Sequence, residues 1–255
     1  MITDIRLAGQ QLAAPRFDTP KKLISWMGAI QAQDYAMARW AVGIRLKSAT
    51  ARSVGEAFSR GEILRTHVMR PTWHLVAAED IRWMLKLSAR RIRSANESLA
   101  KGRQLELTEQ LHYRCDRLLE KMLEGNRNLT KQQIGEELNR QGIAADTPRL
   151  TRLLMRAETE AVVCSGPFSG GKQTYALLEE RVPPVPELHP DEALAKLATA
   201  YFRSHSPASL QDFVWWSGLS VTEARHSVGL IGRSLTAERF GQRELFVHES
   251  CRAAE

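Results

Sequence analysis

The chain has 255 residues, enough to bury a sizeable core and to hold one large domain or two to three small ones. Hydrophobic residues make up 43% of it and charged residues 25%, which is ordinary for a globular protein, and no apolar run is long enough to span a bilayer. A formal net charge of +7 favours a polyanionic partner, but many basic proteins bind no nucleic acid, so the arrangement of the charges must decide.

The cysteines argue against a disulfide framework. Cys115, Cys164 and Cys251 are scattered, odd in number and without a CxxC pair, which favours reduced thiols in a cytoplasm. No cluster of His, Cys, Asp and Glu has the spacing of a metal site, and no serine or cysteine lies in a recognisable nucleophile motif. We therefore expect a cytoplasmic protein that uses no metal or other cofactor.

Near the N-terminus, the sequence predicts two helices followed by two strands. Thr19 followed by Pro20 is typical of a helix start, and the apolar periodicity after this pair continues to Ile30. Ser53 and Glu56 predict a capping box for a second, short helix. The following sequence, ILRTHVMRPTWHLV, is rich in β-formers and is interrupted by Pro71, so it predicts a strand, a turn and a strand.

The same order of elements returns twice. Thr130 and Gln133 predict a capping box for the helix KQQIGEELNRQ, and PRLTRLLMRAETE predicts a second helix before the hairpin sequence AVVCSGPFSGGKQTYALL. SLQDFVWWSG predicts a short helix that ends at its glycine, Ser220 and Glu223 predict a capping box for the helix VTEARHSVGLI, and GQRELFVHE predicts a final strand. Helix, tight turn, helix and hairpin make up the winged helix-turn-helix. The sequence therefore predicts a mainly α fold with small β wings, built from tandem winged helix-turn-helix units.

Connecting segments separate the expected units. Long helices at 79–102 and 108–124 and the proline-rich stretch near 182–190 are predicted as connectors. The expected limits are 1–104 for the first winged-helix unit with its connecting helix, 105–183 for the second unit, and 184–255 for the third.

A basic stripe marks the second helix of the second unit. Arg149, Arg152 and Arg156 are spaced i, i+3 and i+7, so they share one helical face. In a helix-turn-helix this helix meets phosphates, whereas outside such a motif the stripe would be a solvated face. Lys172, in the turn of the hairpin, is a further expected DNA contact. The helix has almost no Asn or Gln, which favours phosphate contacts with double-stranded DNA over base reading.

One segment imitates a nucleotide-binding motif. GPFSGGKQ nearly matches the P-loop pattern, but Gln173 stands where a hydroxyl is needed to bind Mg²⁺. The residues after it favour a strand over the helix whose N-terminus would hold phosphate. We interpret the segment as a hairpin turn.

Three blocks of sequence carry a resemblance to a known family: SWMGAIQAQDYAMARWAVGIRL, RTHVMRPTWHLVAAEDIRWML and LQDFVWWSGLSVTEAR. Together, in this order, they resemble the AlkZ-like winged-helix DNA glycosylases, and the resemblance covers almost the whole chain. It implies three tandem winged helices and the excision of alkylated purines, including those in DNA interstrand crosslinks. Family members usually continue into a β-rich C-terminal part with a DNA-probing hairpin, which we expect to be absent from this chain.

The resemblance also assigns a catalytic signature. The family motif is a glutamine, an apolar residue and then a glutamine or aspartate, which falls here on Gln31, Ala32 and Gln33. Positions i and i+2 lie on different faces of a helix, so the two amides can reach one substrate only if the triplet is extended. Without the resemblance, a local structural role at a helix end would be favoured for both glutamines.

Two amides are chemically sufficient for a charged leaving group. Alkylation at N7 places a positive charge on the purine, so its departure needs no general acid. One amide oxygen can accept a hydrogen bond from the attacking water, and the other can face the oxocarbenium-like sugar. We therefore expect a monofunctional DNA glycosylase that acts on nucleoid DNA through Gln31 and Gln33. The alternative is a non-catalytic winged-helix DNA-binding protein with a regulatory or architectural role.

Five neighbouring residues are candidates for accessory roles. Asp34 is a rival base for the water, although an ion pair or the capping of the next helix is the favoured role. Tyr35 and Trp73 could stack on an extruded base. His67 and His74 could line the cleft beside the glutamines, whereas a lone histidine on a strand is more often structural.

Overall fold

The computed structural model describes residues 2–251, and these fold into helices with small antiparallel sheets. The first stretch contains α1 (Ile2–Gly9), α2 (Pro20–Met27), β1 (Ile30–Gln31), α3 (Tyr35–Gly43), α4 (Ala51–Ser59), β2 (Ile63–His67) and β3 (Trp73–Ala77). The second stretch contains α5 (Ile81–Gly102), α6 (Glu109–Leu123), β4 (Leu129–Thr130), α7 (Lys131–Arg140), α8 (Thr147–Thr159), β5 (Val163–Ser169), β6 (Lys172–Leu177) and α9 (Leu178–Arg181). The third contains α10 (Pro190–His205), α11 (Leu210–Ser217), α12 (Val221–Leu230), β7 (Leu235–Phe240) and β8 (Arg243–His248).

One order of elements occurs three times. A helix, a short strand, two helices and two strands follow one another from α2 to β3 and again from α6 to β6. In both places the short strand pairs with the last strand, giving the sheet orders β1-β3-β2 and β4-β6-β5. From α10 to β8 a bridge between Ala208 and Phe246 takes the place of the short strand. We call these segments the first, second and third units; α5 connects the first to the second.

Several local predictions are confirmed. The capping boxes at Thr130 and Ser220 are present, and Gly218 ends α11 in the left-handed conformation. The two long helices expected as connectors, α5 and α6, lie close to their expected positions, but α6 is the first helix of the second unit. Between Gly170 and Gly171, both at positive φ, the chain reverses from β5 to β6, so the P-loop-like segment is a hairpin turn.

Other boundaries differ from the expectation. The capping box of α4 pairs Thr50 with Ser53, one turn earlier than the expected Ser53 and Glu56. Helix α10, beginning at Pro190, was not predicted, and neither were the two-residue strands β1 and β4. These strands exist because tertiary pairing with β3 and β6 stabilises them, which propensity alone does not predict.

The first sheet separates two apolar cores. One face, with Ile63 and Leu75, packs among residues of α2 to α4. The opposite face, with Leu64 and Val76, packs in a core shared with α5 and the third unit. Because side chains alternate along a strand, this division assigns each residue of β1 to β3 to one face. None of the helices within residues 2–251 is long and apolar enough to cross a membrane.

Helix α2 ends at Met27, three residues before the expected end at Ile30, because Gly28 breaks it. Gly28 has φ 77° and ψ −58°, a conformation that side chains disfavour. A Cβ at this position would also lie 3.0 Å from the Cβ of Ala200 in the third unit. The end of α2 therefore depends on both backbone freedom and close packing between units.

We expect Gly28→Ala to lower the free energy of unfolding by about 2 kcal/mol or more, because it adds backbone strain and crowds Ala200. Gly125→Ala is the control: φ is 79° there, and no described residue beyond its chain neighbours comes within 4 Å of the added Cβ. It should lose about 1 kcal/mol from strain alone. Denaturant unfolding measures both variants, and equal losses would contradict the packing role of Gly28.

Candidate active site

The triplet Gln31-Ala32-Gln33 follows α2 in extended conformation. Gln31 pairs with His74 in the first sheet, and the Ala32 amide donates to the carbonyl of Trp73 at 2.7 Å. Ala32 is buried in the core of the first unit, whereas the residues on either side of it are exposed. Gln31 and Gln33 therefore lie on the same, open side of the chain, beside the β2–β3 hairpin.

The regular strand pairing stops at Gln33, whose own side chain replaces a backbone acceptor. The amide N–H of Trp73 donates to Oε1 of Gln33 at 3.4 Å. The carbonyl of Ala32 instead accepts from Nε of Arg65 at 2.9 Å. The backbone of Gln33 is thus outside the strand pairing, and its side-chain amide oxygen is oriented towards the backbone N–H of Trp73 by a long hydrogen bond.

Arg65 connects the triplet to the second unit. Its Nη2 donates to the carbonyl of Gln33 at 3.0 Å, and its Nη1 donates to Oε1 of Gln173 at 2.6 Å. The guanidinium lies 4.6 Å from the ring centroid of Trp73, and the backbone N–H of Arg65 donates to Oγ of Ser165 at 2.9 Å. Burial lowers the pKa of Arg65, but an arginine remains charged at neutral pH.

Sequence reasoning did not identify Arg65 or Gln173 as parts of this site. In the sequence, Gln173 is distinctive only as the residue that breaks the P-loop pattern. The two residues are 108 positions apart, so no local spacing indicates their contact. A guanidinium and an amide on predicted strands are common, so the residue types alone do not indicate that Arg65 and Gln173 belong to an active site.

Asp34 and Tyr35 have structural partners. Asp34 caps α3, since its Oδ1 accepts from the backbone N–H of Met37 at 3.0 Å. This is the capping role that the sequence favoured over a catalytic one. The ring of Tyr35 packs against Phe58 and Phe168, with centroids 5.3 and 4.6 Å away. These contacts occupy the ring, so the structure does not support stacking of Tyr35 on an extruded base.

His67 and Trp73 lie on the sheet face opposite to Gln31. They pair with each other across β2 and β3, and their ring centroids are 3.9 Å apart. Nδ1 of His67 lies 2.6 Å from Oε2 of the buried Glu158, which joins the first unit to α8. His67 thus has a structural partner. Stacking of Trp73 on a base remains a prediction, but its ring contacts His67 and Arg65 away from the Gln31 side.

His74 lies on the same face as Gln31 and directly beside it. It is 2% exposed, and its Nδ1 is 2.8 Å from the carbonyl oxygen of Thr72. Burial lowers the pKa of His74 to about 4, so the imidazole is neutral at neutral pH. Of the two histidines, only His74 is placed next to the glutamines.

The three arginines of α8 do not form one free stripe. Arg156 is 7% exposed; its Nη2 and Nε each lie 2.8 Å from a carboxylate oxygen, of Glu109 and Glu160 respectively. A guanidinium held in this way is not available to a phosphate, so the expectation for Arg156 does not agree with the structure. Arg149 donates to the backbone carbonyl of Glu106 and lies 3.7 Å from a carboxylate oxygen of Asp146. Within residues 2–251, the guanidinium of Arg152 makes one hydrogen bond, to the Sδ of Met155 at 3.9 Å. For these two the DNA-binding role remains a prediction.

Lys172 is at the exposed tip of the β5–β6 hairpin. Its Nζ lies 3.5 Å from Oε1 of Gln132 in α7, a contact that leaves the ammonium group open to solvent. Its predicted DNA contact stays a prediction. Across the described part of the chain, no three His, Cys, Asp or Glu side chains are grouped so that they could hold a metal ion.

The chain is similar to proteins of known family and fold. The family model "DNA glycosylase AlkZ-like" matches residues 24–255. The chain belongs to this family. It is therefore a DNA glycosylase, as the three sequence blocks implied. The solved structure of Streptomyces sahachiroi DNA glycosylase AlkZ is similar in fold, with a TM-score of 0.74 and 22% identity over 99% of this chain and 71% of that chain. No curated protein matches the sequence.

We expect Arg156→Ala to lower the free energy of unfolding by about 2 kcal/mol, because Glu109 in α6 and Glu160 at the end of α8 both lose a charged hydrogen-bond partner. The salt dependence of DNA binding should not change. Arg152→Ala is the matched control on the same helix; it should leave stability almost unchanged and flatten the salt slope by about one unit. Thermal unfolding and binding at several salt concentrations separate the two. A flatter slope for Arg156→Ala would contradict its structural role.

Proposed function

We propose that this DNA glycosylase excises N7-alkylated purines by water attack on an oxocarbenium-like sugar, with Gln31 and Gln33 as catalytic residues. The observation that carries the proposal is the extended triplet, in which a buried Ala32 leaves both amides exposed on one side. Purines crosslinked through N7 carry the same positive charge. They therefore belong to the same class of substrate, and crosslinked DNA is included in the proposal.

The geometry favours different tasks for the two amides. Oε1 of Gln33 accepts from the backbone of Trp73, which fixes the direction of its carbonyl and leaves one lone pair. A carbonyl dipole that does not have to reorient is suited to stabilise a developing positive charge. The side-chain amide of Gln31 has no hydrogen bond within residues 2–251 and is available to hold the attacking water. Neither amide can protonate a leaving group, so an unmodified purine would be a poor substrate.

For DNA binding we propose three tandem winged-helix units, with the limits 1–104, 105–183 and 184–255. The support is the repeated order of elements and the pairing of the short strand with the last strand in the first two units. Arg149, Arg152 and Lys172 would contact phosphates of double-stranded DNA. An enzyme with this substrate would work on the nucleoid in the cytoplasm.

We expect Gln31→Ala and Gln33→Ala each to slow base release strongly, by about 10- to 1,000-fold, while DNA affinity stays nearly constant, because the lost interactions form chiefly in the transition state. Gln33→Asp should keep activity, since a carboxylate is a better base than an amide. The assay follows free 7-methylguanine and abasic sites from duplex DNA containing N7-methylguanine. Base release at the normal rate by the double alanine variant would refute the catalytic assignment. Binding by the unmodified enzyme without any release would instead favour a non-catalytic DNA-binding protein.

We expect Arg65→Lys to reduce base release about tenfold or more at unchanged DNA affinity. Lysine cannot hold the carbonyls of Ala32 and Gln33 together with Gln173, so the triplet would shift. Arg60→Lys is the matched control, because Arg60 is exposed and, among residues 2–251, pairs only with the carboxylates of Glu56 and Glu62. The same release assay measures both variants. If Arg65→Lys releases base as fast as the control, the anchoring of the triplet by Arg65 is not needed for catalysis.

A further inference from the structure

We propose that His74 is a positioning residue for Gln31. In the reactive complex, Nε2 of His74 accepts a hydrogen bond from the side-chain amide of Gln31, so that the amide oxygen of Gln31 faces the water and the substrate. The inference rests on the proposed function, in which Gln31 is catalytic. It assigns to a buried histidine a task that the sequence left open.

The strand pairing places the two side chains next to each other. Gln31 is directly opposite His74 in the β1–β3 pair, and both lie on the same face of the sheet. The next pair along, Ala32 and Trp73, is joined by a backbone hydrogen bond. Hydrogen-bonded and non-hydrogen-bonded pairs alternate in an antiparallel ladder, so Gln31 and His74 form the closer, non-hydrogen-bonded kind, with Cβ atoms about 4.5–5.5 Å apart.

The chemistry of His74 determines which of its nitrogens is an acceptor. The carbonyl of Thr72 can only accept, so Nδ1, at 2.8 Å from that oxygen, must carry the proton. The low pKa, caused by burial and to a lesser extent by Arg70 and His67, keeps the ring neutral. A neutral ring protonated at Nδ1 has a lone pair at Nε2.

Both candidate partners are without other bonds. No hydrogen bond reaches Nε2 of His74 or the side-chain amide of Gln31 from any residue between 2 and 251. His74 is 2% exposed, so water reaches its ring poorly, and an acceptor there without a donor is unfavourable. Thr66, on the other side of His74, is the rival donor, since its buried Oγ1 also has no hydrogen-bond partner among residues 2–251.

The bond would remove an ambiguity of the amide. An exposed glutamine can present either its oxygen or its NH₂ group to a ligand, because the two ends are nearly equal in shape. Nε2 of His74 requires a donor, so the NH₂ group of Gln31 turns towards His74 and the amide oxygen of Gln31 turns towards the substrate. The attacking water can then donate a hydrogen bond to this oxygen.

Two substitutions at His74 separate the acceptor from the rest of the ring. His74→Asn keeps a donor for Thr72 but has no acceptor at the Nε2 position, so base release should fall about 10- to 100-fold with DNA affinity unchanged. His74→Gln offers an oxygen near the Nε2 position and should retain most of the activity. Thr66→Val removes the rival donor and should have no effect. Full activity of His74→Asn, or equal losses for the Asn and Gln variants, would overturn the proposal.

Coupling to Gln31 tests the mechanism directly. In the Gln31→Ala background, His74→Asn should cause no further loss, because the partner that it positions is gone. Independent losses that multiply would indicate a merely structural role. Thermal unfolding of each variant shows whether it is folded.

A spectroscopic readout distinguishes this inference from the proposed function. In ¹⁵N-labelled protein bound to duplex DNA containing N7-methylguanine, the Nε2 resonance of His74 should move to that of a hydrogen-bonded acceptor. Gln31→Ala should abolish the movement, and Thr66→Val should not. If the unmodified enzyme releases no base, the proposed function fails, and this spectrum still decides whether His74 holds Gln31. No shift, or a shift that Thr66→Val abolishes, would refute the inference.

Discussion

Two amides separated by one residue can act on a single substrate only where the backbone is extended, and much of the structure around the triplet enforces that conformation. Gly28 ends α2 early through a backbone geometry that side chains disfavour. Pairing of Gln31 with β3 then extends the chain, and Ala32 anchors it in the core. A helix continued by one more turn would place the two amides on different faces.

The extended triplet is held by contacts from all three units. β3 of the first unit supplies the pairing partner, and Gln173 of the second unit orients Arg65, which binds two carbonyls of the triplet. Ala200 of the third unit packs close to the glycine that precedes it. A displacement of any unit would therefore change the positions of Gln31 and Gln33, because packed interiors transmit small shifts. The site depends on the assembled chain and not on the first unit alone.

The arginines of the chain differ in the acceptors that they contact. Some arginines are structural: Arg65 binds carbonyl groups, and Arg156 binds carboxylates between helices. Arg152 instead makes one guanidinium hydrogen bond within residues 2–251, to the Sδ of Met155, and is among the residues that we propose to meet phosphates. Net charge therefore indicates a polyanionic partner but does not locate its binding surface. The distinction requires knowing which guanidinium groups already have acceptors.

Sequence alone determined the features that arise within a few neighbouring residues. Capping boxes at Thr130 and Ser220, the hairpin at Gly170 and Gly171, and the family blocks were recognisable because their determinants are local or contiguous. Only the tertiary structure decided that Arg65 holds the triplet, that Arg156 is buried, and that His67 and His74 lie on opposite faces of one sheet. Each of these depends on which strand or helix packs beside it. Such contacts join residues far apart in the chain, and side-chain type and spacing do not encode them.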